Sequence, residues 1–239
     1  MTTAPDEHAK PWETVRRGLL LLVSSPSGAG KTSLSRRLVA DHGDMTLSIS
    51  ATTRAPRPGE EEGREYFFKS RDEFNAMVVA GELLEWAEVN NQLYGTPKAP
   101  VMAALDAGKD VLFDIDWQGA KQVAELAPFD SVRVFVLPPS WSDLSRRLHA
   151  RAQDSVEIIN QRLALGREEI AHWQAYDYVI VNKNFDRAYA DLGHIYRAER
   201  MKPGRNPWLP DFVTGLLAED MDGPKSAAPD RAMRRLIQK

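Results

Sequence analysis

Five aliphatic residues, Leu19–Val23, run directly into Ser24-Ser25-Pro26-Ser27-Gly28-Ala29-Gly30-Lys31-Thr32, and a helical pattern follows over Thr32–Asp41. This juncture constrains the fold more than any other stretch of the chain. A short apolar run reads as a strand covered on both faces. The loop after it has the phosphate-loop spacing, glycine, four residues, then Gly-Lys-Ser/Thr, except that Ser25 stands at the first glycine. In such a loop, formed by Ser25, Pro26, Ser27, Gly28, Ala29 and Gly30, the glycines let backbone N–H groups point inward toward phosphate oxygens, and the start of the helix adds a positive dipole end. Lys31 supplies a mobile cation for the outer phosphates, and the Thr32 hydroxyl an oxygen ligand for magnesium. An ordinary glycine-rich turn would not require Gly-Lys-Thr in register between a strand and a helix. The chain is expected to bind a nucleoside triphosphate.

Three further apolar runs, Val111–Ile115, Val132–Leu137 and Tyr178–Val181, read as buried strands. Helical patterns lie between and after them, over Pro97–Ala107, Gly119–Ala127, Trp141–Arg151, Val156–Gln174 and Asp186–Arg200. Alternation of this kind predicts an α/β fold, a parallel sheet flanked by helices. Residues 46–94 break the alternation with strand-like pieces (Thr46–Ser50, Tyr66–Lys69, Leu83–Val89) around a helix over Ser70–Ala80, an α+β insertion in the parallel core. The expected division is a loose leader (1–17), one domain (18–200) and a C-terminal extension (201–239). Within the domain, the core takes 18–45, 97–139 and 173–200, the insertion 46–96 and a helical lid 140–172.

Composition narrows the partners. The 239 residues carry 31 basic against 34 acidic side chains, a net charge of −3 that gives no pull toward nucleic acid or an anionic membrane. Cysteine is absent, which excludes disulfides and thiolate chemistry and fits a reducing compartment. Leu19–Val23 is too short for a membrane helix or a secretory signal, so the expected location is cytoplasmic. The histidines show no ligand-spaced pair.

Two regions look built for anions. Arg54 and Arg57, stiffened by Pro56 and Pro58, suit a bidentate grip on phosphate, with Tyr66 and Tyr94 able to add hydroxyl donors. Residues 146–167 hold five arginines (146, 147, 151, 162, 167) against Asp154 and Glu157, and Arg147 and Arg151 share a helical face. Asp116-Trp-Gln-Gly119 and Asn182-Lys183-Asn-Phe-Asp186 bring a GTPase to mind, but Phe185 stands one position out of register for a guanine-reading Asn-Lys-x-Asp.

Several motifs in order carry a resemblance. Thr52-Thr-Arg54-Ala-Pro-Arg57-Pro-Gly-Glu60, Gly81-Glu-Leu-Leu-Glu85-Trp86-Ala, Tyr94-Gly95-Thr96, Asp114-Ile-Asp116-Trp-Gln-Gly119, Leu137-Pro-Pro-Ser140, Arg147-Leu-His-Ala-Arg151-Ala-Gln-Asp-Ser155 and Tyr178-Val-Ile-Val-Asn182 resemble guanylate kinases, from about Gly18 to Arg200. The resemblance implies transfer of phosphoryl from ATP to GMP with Mg²⁺, in a phosphate-loop kinase core with a GMP-binding insertion. It implies that Arg54, Arg57, Tyr66 and Tyr94 hold the GMP phosphate and that Ser50, Glu85 and Thr96 read guanine, with Glu60 and Asp116 close by. Asp114 joins Thr32 at the metal, Asn182 joins the phosphate loop around ATP, and Arg147, Arg151 and Arg162 join Lys31 and Arg54 on the transferring group. Two positions differ from the family's pattern: Ser25, and Lys183-Asn184 where two aspartates are usual. A binding module without catalysis, the alternative from another class, typically lacks the loop lysine or the lid arginines, and this chain keeps both. The sequence leaves monomer or homo-oligomer open.

Overall fold

The computed structural model describes residues 16–89, 91–150 and 156–218. Its parallel sheet has five strands in the order β2-β7-β1-β8-β9: Met45–Leu47, Asp110–Asp114, Leu20–Ser24, Ser131–Leu137 and Tyr178–Val181. Alternation along β1 explains its unbroken apolar run. Leu19, Leu21 and Val23 enter one core with helices α1 (Lys31–Asp41) and α7 (Phe185–Arg200). Leu20 and Leu22 enter the other, under α3 (Lys98–Asp106) and α4 (Trp117–Leu126). Both faces are covered, as a parallel sheet requires.

The second sheet, in the order β4-β3-β6-β5, joins Tyr66–Phe68, Ser50–Thr52, Gln92–Pro97 and Leu83–Val89. It packs a small core of Ala51, Phe74, Leu83 and Leu93 against α2 (Arg71–Val79). Ser70 starts α2 with a reciprocal capping box: its hydroxyl accepts from Glu73 N–H, and the Glu73 carboxylate accepts from Ser70 N–H. Helices α5 (Trp141–Ala150) and α6 (Val156–Ala171) pack through Leu144, Leu148 and Ile159. Residues 207–218 form a separate unit containing α8 (Leu209–Ala218), where Trp208 meets Phe212 edge to face.

Four expectations need correction. The piece expected over Thr46–Ser50 is two strands: Thr46 and Leu47 pair with Val111 and Leu112 in the parallel sheet, and only Ser50 opens the insertion's sheet. The parallel sheet therefore has a fifth strand, whose short and half-exposed sequence gave no buried run. Gln92–Pro97 was expected only as a motif and is a central strand of the insertion. Arg16 and Arg17 are not loose, and residues 201–206 belong to the same compact unit as the core, with Arg17 N–H donating to the Arg205 carbonyl at 2.9 Å.

The leader's arginines anchor the end of the sheet away from the loop. Asp110, whose side chain is fully buried, accepts from Arg16 (2.8 Å), from Leu19 N–H (2.8 Å) and from the Tyr196 hydroxyl (2.6 Å). Removing one partner of a buried ion pair leaves the other charge uncompensated. Asp110→Ala is expected to lower unfolding free energy by about 3 kcal/mol, read as a shifted urea midpoint at constant slope. A shift equivalent to a small fraction of that would mean the network contributes nothing net.

Candidate functional site

The loop between β1 and α1 has the shape expected of it. Gly28 (φ +93°) and Gly30 (φ +101°) lie in the left-handed region that other residues avoid. A Cβ on Gly30 would come within 2.3 Å of Asn182 Nδ2, so glycine is required there on steric grounds as well. Asn182 is buried, and its amide donates to the Ala29 carbonyl at 2.7 Å, bracing the loop from the end of β9. Lys31 Nζ contacts Asp114 Oδ1 at 2.8 Å and donates to the Ile115 carbonyl at 2.7 Å. Thr32 is exposed at the start of α1, and Ser25 is buried with its hydroxyl on the Pro26 carbonyl.

Helices α5 and α6 lie against this loop. Leu144 and Leu148 of α5 approach Gly28, and Gly166 of α6 abuts Pro26. Arg147 donates to the Asn182 carbonyl at 2.9 Å and to the Ala29 carbonyl at 3.3 Å. Arg162 lies on α6, and Arg151 lies outside the described residues. One contributor escaped the sequence reading. Glu169, one turn beyond Gly166, accepts from Ser27 N–H; burial raises its carboxyl above the usual range, and Lys31 opposes that rise. Its only signal was its spacing from Arg162 on the same helix.

On the insertion, Arg54 Nη2 donates to both Glu60 carboxylate oxygens, at 2.8 and 2.9 Å, and Glu60 also accepts from Arg57 N–H at 2.7 Å. The paired guanidinium holds the Glu60 carboxyl below the usual carboxylate range, helped by the Arg57 N–H. Arg54 lies 5.3 Å from the Tyr66 ring centre, and the Tyr66 and Tyr94 rings meet at 6.1 Å. The Arg57 side chain is exposed. Arg54, Tyr66 and Tyr94 thus lie together, with Arg57 joined to them through its backbone N–H on Glu60.

Glu85 lies deeper, 8% exposed, accepting from the Thr96 hydroxyl at 2.7 Å. Burial is the main cause pushing its carboxyl above the usual range; the Thr96 bond opposes this and the nearby Asp116 charge reinforces it. Asp116 caps α4, accepting from Gly119 N–H at 2.8 Å, which accounts for the Asp-x-x-Gly spacing without a GTPase switch. A Cβ on Gly119 would stand 3.5 Å from Glu85 Oε2, so α4 and the second sheet meet at that carboxylate. Ser50 begins β3, in register with Tyr66. In the GTPase-like fragment, Asp186 instead pairs with Arg37 at 2.7 Å.

Among the described residues no helix is long and apolar enough to cross a membrane. The sequence profile of the guanylate kinase family matches residues 17–199. A guanylate kinase of Caulobacter vibrioides is 60% identical over 205 residues, covering 86% of this chain and 96% of the relative. One of Cereibacter sphaeroides is 57% identical over 205 residues, covering 85% and 97%. The crystal structure of guanylate kinase from Anaplasma phagocytophilum superposes with a TM-score of 0.68 at 35% identity, covering 86% of this chain and 98% of that one. With a phosphate loop at one end of the parallel sheet and an arginine–tyrosine cluster and buried glutamate on the second sheet, the chain belongs to the guanylate kinase family.

Proposed function

We propose that the two sheets divide the two nucleotides between them. The reaction is transfer of the terminal phosphoryl group of ATP to GMP, giving ADP and GDP. On this reading the loop from Ser25 to Thr32 holds ATP with Asn182, and Arg54, Arg57, Tyr66 and Tyr94 hold the GMP phosphate. Ser50, Glu85 and Thr96 read guanine, with Glu60 orienting Arg54 and Asp116 beside the base. The observation that carries the reading is the meeting of α4 with both: Asp116 follows the strand whose end pairs with Lys31, and Gly119 of the same helix faces Glu85.

The acceptor is a phosphate oxygen, already anionic, so the chemistry needs no general base. The obstacle is bringing two polyanions together, and the residues answer it with positioning and positive charge. Lys31, Arg147, Arg151 and Arg162 neutralise the transferring group from the core and lid, and Arg54 does so from the insertion. A hydroxyl at Thr32 and a carboxylate at Asp114 are hard oxygen donors that fit magnesium. This ion is usually held by one or two protein groups plus phosphates and water. When bound it would spread the charge of the donor phosphates. Segments 46–96 and 140–172 serve as acceptor domain and lid, and closing them keeps water from the phosphoryl group. On this reading the partners are the small molecules ATP and GMP, which fits a cytoplasmic enzyme.

A coupled assay of ADP release with GMP, AMP, UMP and dTMP as acceptors tests the reading, and equal rates with AMP and GMP would sink it. Arg57→Ala is expected to raise the KM for GMP and leave that for ATP nearly unchanged, because its exposed guanidinium stands on the acceptor segment. Movement of the ATP KM instead would mean that donor and acceptor sites have been exchanged.

A further inference from the structure

The strand that carries Glu85 is irregular at that residue. Between Leu83 and Glu85 the register of β5 shifts against β6, so that Leu83 pairs with Pro97 and Glu85 with Thr96. An extra residue of this kind re-aims the side chains around it. Three consecutive residues are consequently buried. Leu83 enters the insertion's core, Leu84 the core beneath α3 and α4, and Glu85 the polar site beside Thr96.

β5 is also the last strand of its sheet, so its outer N–H and C=O groups meet no neighbouring strand. At Trp86 one side chain takes both. Trp86 N–H donates to Gln122 Oε1 at 3.1 Å, and Gln122 Nε2 donates to the Trp86 carbonyl at 3.2 Å. A primary amide presents acceptor and donor side by side, as the backbone of an adjacent strand would. On the opposite side Gly95 lies so close that a Cβ there would be 2.7 Å from the Glu85 carbonyl oxygen. The peptide linking Glu85 to Trp86 is therefore gripped from both sides. Gln122 stands one helical turn beyond Gly119, where a Cβ would lie 3.5 Å from Glu85 Oε2.

We propose that Gln122 is a positioning residue for guanine recognition. By holding the Trp86 peptide against α4, it keeps both Glu85 oxygens aligned with the two adjacent N–H donors of the base. The proposal rests on the guanine-reading role of Glu85. Gln122 touches no substrate and acts only through the strand.

Hypoxanthine lacks the exocyclic amino group of guanine, so the ratio of GMP to IMP efficiency reports the alignment of Glu85. Gln122→Met keeps the reach of the side chain without its hydrogen bonds. Gln122→Glu keeps the acceptor but sets an oxygen against the Trp86 carbonyl. Both are expected to raise the KM for GMP roughly five- to tenfold, a partial loss of the bonds that a well-aligned Glu85 makes to the base. The KM for IMP should rise less, with kcat, the KM for ATP and the melting temperature near parent values. In a Glu85→Ala background, Gln122→Met should add little further loss of GMP efficiency. If Glu85→Ala narrows the GMP-to-IMP ratio while neither Gln122 variant does, the positioning role is wrong and the reading of Glu85 stands. If Glu85→Ala leaves the ratio untouched, both fall. Equal losses for GMP and IMP with a lowered melting temperature would make Gln122 a plain structural brace and overturn the proposal. Should Gln122→Met fail to fold, Gln122→Glu carries the same comparison.

Discussion

Lys31→Ala is expected to fold as the parent does and to turn over roughly 10²–10³-fold more slowly, the usual effect of losing one preorganised electrostatic group. The expectation comes from where the ammonium stands. Its side chain is 16% exposed and is held by Asp114 and the Ile115 carbonyl at the mouth of the loop, where on the proposed reading the charge of the transferring phosphoryl would peak. Asp114 keeps some access to solvent, its side chain 22% exposed, so losing the lysine leaves no sealed, unpaired carboxylate and little stability should be lost. The measurement is kcat at saturating ATP and GMP beside a melting curve. Near-parent turnover in a folded variant would mean that the loop does not bind the donor phosphates as described.

Replacing Glu85 should have the next largest effect, and on the acceptor alone. Guanine presents N1–H and its amino group together, and one carboxylate can accept from both. Adenine offers a lone pair at N1, so the same carboxylate would be left unpaired against it, and sites of this type can reject the wrong base by roughly 10⁴–10⁵. A hydrogen bond to a charged group contributes about 1.5–3 kcal/mol, so Glu85→Ala should lower kcat/KM for GMP by on the order of 10² or more. Glu85→Gln should also lose efficiency, because it aims an N–H at a donor. Efficiency with GMP within about threefold of parent in both variants would refute the role.

The same burial sets a pH dependence. The folded, free enzyme holds the Glu85 proton more tightly than the unfolded chain does, so ionising this group lowers stability as pH rises through the unfolded and then the folded pKa. Guanine needs the ionised form. The KM for GMP should therefore begin to rise, on acidification, at a higher pH than an ordinary glutamate would impose, and this limb should vanish in Glu85→Gln. The stability of Glu85→Gln relative to parent should be greatest near neutral pH and decline in acid.

Local features were the legible ones. The phosphate loop is made of consecutive residues, so its backbone is written in its own sequence, and apolar runs mark strands buried on both faces. What stayed hidden depends on partners far along the chain. Arg16 looked like part of a charged leader because Asp110 is remote in sequence. Met45–Leu47 sits at a sheet edge with two of its three residues exposed, so no hydrophobic pattern assigned it to the parallel sheet. Gln122 is an unremarked amide in mid-helix until β5 is seen beside it. The acceptor residues became legible as a set through several motifs in order, because residue type alone explained Arg54 and Glu85 equally well as solvent-loop charges.

The placement of β1 bears on how the molecule assembles. Leu20 pairs with Val111 on one side and Ser131 on the other, and everything between Leu47 and Asp110 is threaded through before either neighbour appears. The second sheet, by contrast, draws all its strands from one contiguous stretch, Ser50–Pro97. During synthesis the acceptor-side sheet can close early, while Leu19–Val23 waits with no strand to join until Val111 and its neighbours have emerged. Pairings this distant slow folding and leave apolar surface exposed meanwhile, so the strand that leads into the phosphate loop is open to aggregation before the chain is finished.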